Sequence, residues 1–127
     1  MSARILIIED NPANLELMGY LLRCSGHEVL VATDGQAGLK LAQLEAPELI
    51  ICDIQMPHMT GFEVALHLKG DDRLRHIPLV AITAFAMVGD RERVLAGGFD
   101  GYLAKPIDPE AFVAQIEAFI VGPSEKG

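Results

Sequence analysis

Leu49-Ile50-Ile51-Cys52-Asp53-Ile54-Gln55-Met56-Pro57 is the stretch on which the fold turns. Four apolar residues in a row run into the carboxylate of Asp53. A solid apolar run has no polar face, so it suits a strand covered on both sides, as in a parallel sheet. The same figure appears upstream, where Ile5-Leu6-Ile7-Ile8 closes on Glu9-Asp10. It appears again downstream, where Pro78 introduces Leu79-Val80-Ala81-Ile82 and the run closes on Thr83. Val29-Leu30-Val31 supplies another strand, and Tyr102-Leu103-Ala104 a last one that ends at Lys105-Pro106.

Helical patterns fill the gaps between these runs. Asn11-Pro12 opens the first, with Pro12 suited to the first helical position and Gly26 to its end. Leu15, Met18, Leu21 and Leu22 form its apolar stripe. Asp34-Gly35 reads as a turn, and Leu39, Leu41, Ala42 and Leu44 mark a second helix that stops before Pro47. A third helix spans Gly61 to Gly70, and a fourth runs from about Met87 to Ala96 before Gly97-Gly98. Asp108 and Pro109 are expected to open a fifth, with Phe112, Ile116, Phe119 and Ile120 on its buried side. The pattern is (βα)5, which predicts an α/β fold: a parallel sheet between helical layers with right-handed crossovers. Residues 1–121 are expected to form one domain and residues 122–127 a flexible C-terminal tail. In such open sheets ligands sit at the carboxyl ends of the strands, near the switch in strand order.

The composition narrows the function. The chain has 127 residues, 50% of them hydrophobic and 22% charged, with a formal net charge of −8. That acidity disfavours nucleic acid and anionic membranes as partners. No apolar run approaches the ~18 residues that cross a bilayer, and no signal peptide is read at the start. A cytoplasmic location is expected. Cys24 and Cys52 have neither metal-ligand nor CxxC spacing and read as small core residues. His27, His58, His67 and His76 are scattered without ligand spacing, and Met18, Met56, Met59 and Met87 read as packing.

The polar residues that close the strands carry the chemistry. A parallel sheet brings Glu9, Asp10, Asp53, Thr83 and Lys105 to one edge. Three neighbouring carboxylates repel one another and call for a cation. Oxygen ligands suit Mg²⁺, which binds a few carboxylates and a substrate phosphate. Lys105 adds a positive charge and Thr83 a hydroxyl donor. A carboxylate nucleophile, a metal, a cation and a hydroxyl are the parts of phosphoryl transfer.

Ile8-Glu9-Asp10-Asn11, Asp53-Ile54-Gln55-Met56-Pro57 with Gly61, Thr83-Ala84 and Lys105-Pro106 occur in order at the strand ends. Through them the chain, over roughly residues 4 to 121, resembles the receiver domains of bacterial two-component response regulators. Thr83-Ala84-Phe85-Ala86-Met87 with Gly89-Asp90 also looks like DivK-type single-domain regulators and hybrid-kinase receivers. The resemblance implies a flavodoxin-like three-layer sandwich of strand order 2-1-3-4-5. It implies that Asp53 accepts a phosphoryl group from a histidine kinase or histidine phosphotransfer protein, and that a downstream target protein reads the result. By position, Asp10 and Asp53 would bind Mg²⁺ directly, Glu9 through water, and Gln55 through its backbone carbonyl. Thr83 and Lys105 would hold the phosphoryl oxygens, and Tyr102 would turn inward as Thr83 moves. The face of helix 4, strand 5 and helix 5 would then change. Gln55 and Phe85 would flank the approach of hydrolytic water. The Lys105-Pro106 bond is expected to be cis.

Three other readings stand beside this one, and the intact site argues against one of them, a purely structural pseudo-receiver. A phosphatase of the haloacid dehalogenase type also uses Asp, Mg²⁺, Thr and Lys, but needs a second Asp where this chain has Gln55. A receiver cut from a hybrid histidine kinase or multidomain regulator would carry the same motifs. Met1 a few residues before the first strand favours a free-standing chain. On the first reading the protein is a switch that assists its own phosphorylation and slow dephosphorylation, not an enzyme acting on other substrates.

Overall fold

The computed structural model describes residues 2–84 and 89–121. In chain order the elements are β1 (Arg4–Ile8), α1 (Pro12–Cys24), β2 (Glu28–Ala32), α2 (Gly35–Glu45) and β3 (Leu49–Asp53). There follow α3 (Gly61–Lys69), β4 (Leu79–Thr83), α4 (Asp90–Ala96), β5 (Gly101–Ala104) and α5 (Phe112–Val121). All strand pairs are parallel, and the sheet runs β2-β1-β3-β4-β5. This is the flavodoxin-like (βα)5 sandwich expected from the sequence.

The period-two alternation of strand side chains builds two cores. Ile5, Ile7, Leu49, Ile51, Val80 and Ile82 point to one face, where Met18 and Leu22 of α1 and Phe112 and Ile116 of α5 cover them. Leu6, Ile8, Ile50, Cys52, Leu79 and Ala81 point to the other, under Ala42 of α2, Val64, Ala65 and Leu68 of α3 and Val94 of α4. Every residue of β3 and β4 is buried, which is why their sequences carry no polar face. Each fully buried aliphatic side chain contributes about 1.5–3 kcal/mol relative to exposure.

Local chemistry sets the helix starts. Asn11 caps α1, its Oδ1 accepting the Asn14 N–H at 3.0 Å, and Pro12 follows as the first helical residue. Gly26, at φ +91°, turns the chain away after Ser25. Asp34-Gly35 is not a separate turn: Asp34 caps α2, accepting the Ala37 N–H at 2.8 Å. Thr60 and Glu63 form a reciprocal capping box at the start of α3. The last helix begins at Phe112 and not at Pro109. Asp108 instead closes a turn, its Oδ1 accepting from Glu110 N–H and its carbonyl from Phe112 N–H. The expected start of α4 near Met87 lies outside the described residues.

Some expected core residues are elsewhere. Leu44 is 71% exposed, so it marks α2 without entering the core. Cys52 is buried as a core residue, whereas Cys24 is exposed on α1. Met18 and Met56 are buried. His27 is a satisfied core histidine, its Nδ1 accepting from Ala3 N–H and its Nε2 lying 2.8 Å from Glu117. Among the described residues no helix is long and apolar enough to cross a membrane.

Candidate functional site

Asp53 closes β3, the middle strand of the sheet, and pairs in register with Ile82, the residue before Thr83. The neighbouring strand β1 ends at Ile8, so Glu9 and Asp10 enter the same edge beside Asp53. Glu9, Asp10 and Asp53 each offer an oxygen within 4.8 Å of the others. Glu9 and Asp53 are buried and Asp10 is exposed, so the cluster opens to solvent through Asp10. Thr83 is buried at the end of β4. Lys105 follows β5, and its backbone N–H donates to the Thr83 carbonyl at 2.8 Å. The Lys105-Pro106 bond is cis, as expected.

Both oxygens of Asp53 are held. Oδ1 accepts the Gln55 backbone N–H at 3.2 Å, and Oδ2 accepts the Lys105 ammonium at 3.1 Å. The backbone behind them is held as well, since the Cys52 thiol donates to the Asp53 carbonyl at 3.3 Å. Glu9 Oε2 accepts the Asn11 N–H at 3.1 Å, in the turn that begins α1. Lys105 Nζ lies 3.3 Å from Glu9 Oε1. That contact supplies Coulomb attraction without hydrogen-bond alignment, and Oε1 is a buried oxygen with no hydrogen-bond partner among the described residues.

The electrostatics follow from this crowding. Burial first, then the Asp53 carboxylate beside it, pushes the Glu9 carboxyl up to about 7, against a partial opposing effect from the Asn11 N–H and Lys105. Burial pulls the Lys105 ammonium down, but the hydrogen bond and charge of Asp53, aided by Glu9, outweigh it, so Lys105 is raised and stays charged. Burial also raises the Cys52 thiol, which keeps it an inert neutral donor. Among the described residues the carboxyl edge of the sheet thus carries an acidic cluster, the Lys105 ammonium and the buried Thr83 hydroxyl.

Three expected site residues, Gln55, Tyr102 and Phe85, are less central or undescribed. Gln55 is exposed at the mouth of the site. Tyr102 is half-buried and packs against the core on the α2, α3 and α4 side. Pro57 is exposed in the loop after β3. Phe85 lies outside the described residues. Gly61 has a role that its motif position alone did not explain. Its N–H donates to the Ile54 carbonyl at 2.8 Å, and a Cβ there would lie 2.5 Å from the Asp53 carbonyl oxygen. The Thr60-x-x-Glu63 capping pattern was the sequence signal for this helix start.

Comparison with known proteins agrees with this architecture. The chain is 43% identical over 120 residues to the polar-differentiation response regulator DivK of Brucella anthropi, covering 94% of this chain and 98% of that one. The DivK of Brucella ovis is 42% identical over the same share. Among solved structures, the chemotaxis response regulator CheY4 of Vibrio cholerae superposes with a TM-score of 0.88 at 28% identity, covering 94% of this chain and 99% of that one. The receiver domain of sensor histidine kinase PA1611 from Pseudomonas aeruginosa, which has a magnesium ion coordinated in its active site cleft, gives 0.87 at 30% identity, over 96% and 100%. Residues 5–117 match the response regulator receiver domain, and the chain belongs to that family.

Proposed function

We propose that the protein is a phospho-acceptor signalling switch of a two-component system or phosphorelay, with Asp53 as the acceptor. One observation carries the reading: a buried carboxylate at the end of the central strand is oriented through both oxygens, by Gln55 N–H and Lys105. An aspartate is a weak nucleophile unless it is held in line with phosphorus. An Asp53 oxygen would attack the phosphorus of a phosphohistidine on a histidine kinase or phosphotransfer protein. The O–P bond forms, the N–P bond breaks, and the imidazole leaves. Lys105 offsets the repulsion between the two anions and then holds a phosphoryl oxygen, with Thr83 donating to another.

The residues fit Mg²⁺. The donors are oxygens, and Glu9 Oε1 is a buried oxygen without a hydrogen-bond partner among the described residues. Asp10, Asp53 and the Gln55 backbone carbonyl would hold the ion directly, and Glu9 through water. When bound, Mg²⁺ supplies charge neutralisation at the phosphoryl oxygens. As Thr83 moves toward the acyl phosphate, Tyr102 would turn inward, and the α4-β5-α5 face would present a changed surface to a downstream target. Gln55 and Phe85 would screen the acyl phosphate from water. Residues 1–121 would form one cytoplasmic receiver unit; the expected tail, 122–127, lies outside the described residues. The reading assigns no activity on other substrates and no nucleic-acid or membrane partner.

The test is labelling with acetyl phosphate or a phosphorylated kinase in the presence of Mg²⁺. The wild type should take up one phosphoryl group on Asp53, and Asp53→Asn should take up none. Full labelling of the folded variant, mapped to another residue, would refute the assignment.

A further inference from the structure

We propose that Phe62 is a positioning residue that couples the Asp53 loop to α4 through the contacts of its own ring. The inference rests on Asp53 being the acceptor and adds a mechanical link to it.

The path begins at Gly61, whose Cα packs against the Asp53 carbonyl so closely that an added Cβ would lie 2.5 Å from the oxygen and 2.8 Å from Ile54 Cα. Both obstructing atoms are backbone, so Gly61 moves with the acceptor loop. Its own N–H is tied to Ile54 O at 2.8 Å. Phe62 follows directly in the chain. Its ring meets Phe99, just before β5, edge-on at 6.1 Å between centroids and 80° between planes. The Arg93 guanidinium of α4 lies over the ring, 5.8 Å from its centroid.

The ring also lies against Gly97, the C-cap of α4. A Cβ there would lie 2.7 Å from Phe62 Cδ1 and 3.0 Å from Cε1. Gly97 has φ −78°, a backbone conformation open to any residue. It is therefore the ring, and not the backbone, that keeps this position free of a side chain. Phe62 is thus pressed between the acceptor loop and the end of α4. It also lines, with Ile54, Gln55, Thr83 and Arg93, a cavity of about 320 Å³. The ring has room to shift toward the cavity and none toward Gly97. A displacement imposed from Gly97 therefore drives the ring toward the cavity wall formed by Ile54 and Gln55, next to Asp53.

Coupling between two sites is reciprocal. Pressure applied at α4 must therefore be felt at Asp53. Gly97→Ala applies it, because a methyl group there would collide with the ring. The probe is beryllofluoride with Mg²⁺, an analogue of the phosphoryl group, titrated by NMR. Gly97→Ala should change its apparent affinity at least threefold, and adding Phe62→Ala should abolish that change. In Phe62→Ala alone, beryllofluoride should still bind, while the Val94 and Gly97 amide shifts it induces in the wild type shrink by at least half. Wild-type affinity in Gly97→Ala, the same change with and without the ring, or undiminished α4 shifts in Phe62→Ala would each overturn the coupling and leave the acceptor assignment standing. A wild type that binds no beryllofluoride would overturn both.

Discussion

Glu9→Gln separates the cost of the acidic cluster from its use. In the metal-free protein, burial and the neighbouring Asp53 raise the Glu9 carboxyl from 4.5 to about 7. A carboxyl raised on folding binds its proton more tightly in the native state than in the unfolded chain. Its contribution to stability is full below pH 4.5 and is lost as pH rises through about 7. The gap between those values is worth roughly 3 kcal/mol. Solvent entering beside exposed Asp10 screens part of it, which leaves about 1–3 kcal/mol. Glutamine has the shape of the protonated acid. It can keep the bond from Asn11 N–H and donate toward Asp53 without ever ionising. In urea unfolding with a chelator at pH 8, Glu9→Gln should therefore be more stable than the wild type by about 1–3 kcal/mol. At pH 4.5 to 5 the two should agree within about 0.5 kcal/mol. Excess Mg²⁺ at pH 8 should narrow the gap, because the wild type gains more from the ion. An equal difference at both pH values would show that packing and not charge is responsible. A variant less stable than the wild type at pH 8 in chelator would show that ionised Glu9 supports the fold.

The other expectations follow from single contacts. Mg²⁺ at a few times its dissociation constant should stabilise the wild type by about 1 kcal/mol, seen as a rise in melting temperature of roughly 3–5 °C over the chelated protein; an unchanged melting temperature would count against the cation site. Gly19→Ala and Gly61→Ala should shift stability in opposite directions in the same denaturation assay. At Gly19, within α1, the added methyl meets only the movable end of Arg23, so helix propensity should give about 0.5–1 kcal/mol of stabilisation. At Gly61 it meets the Asp53 and Ile54 backbone and should cost about 1–3 kcal/mol and slow phosphoryl uptake. Phe85→Glu should hasten loss of phosphate from pulse-labelled protein; no acceleration in a normally folded variant would remove Phe85 from the gate.

The central strands were legible because both their faces are covered. β3 and β4 are buried at every position, so their sequences state the burial directly. The site was legible for a related reason: each polar residue that stops an apolar run falls at the carboxyl edge, where a parallel sheet collects them. Alternation of strands and helices predicts a parallel sheet but does not choose among strand orders, and the order 2-1-3-4-5 came from the resemblance. Contacts between residues far apart in sequence left no local trace. Lys69, which bonds Asp100 at 3.0 Å, is one such case. His27 on Glu117 is another, 90 positions apart. The start of α5 was misread because Asp108-Pro109 is a good helix opening on propensity alone. The backbone instead spends those residues on a turn that delivers Phe112 to the core.

The charge balance at this edge explains why one fold can serve as a switch there. Glu9, Asp10 and Asp53 carry three negative charges when ionised, and Lys105 returns one. The remaining excess is two, which a divalent cation would cancel. An acyl phosphate on Asp53 would replace one negative charge by about two and add acceptor oxygens. On the proposed reading, and among the described residues, the Lys105 ammonium and the Thr83 hydroxyl would help the cation to meet that surplus. Lys105 would have to leave part of its hold on Glu9 and Asp53 to follow the new charge. Its backbone N–H is bonded to the Thr83 carbonyl, so the ends of β4 and β5 are tied together at that point. Crowding in the acidic cluster and the proposed movement after phosphorylation would therefore share one cause. The site carries more negative charge than its single lysine can balance, and each added anion shifts the few donors that remain.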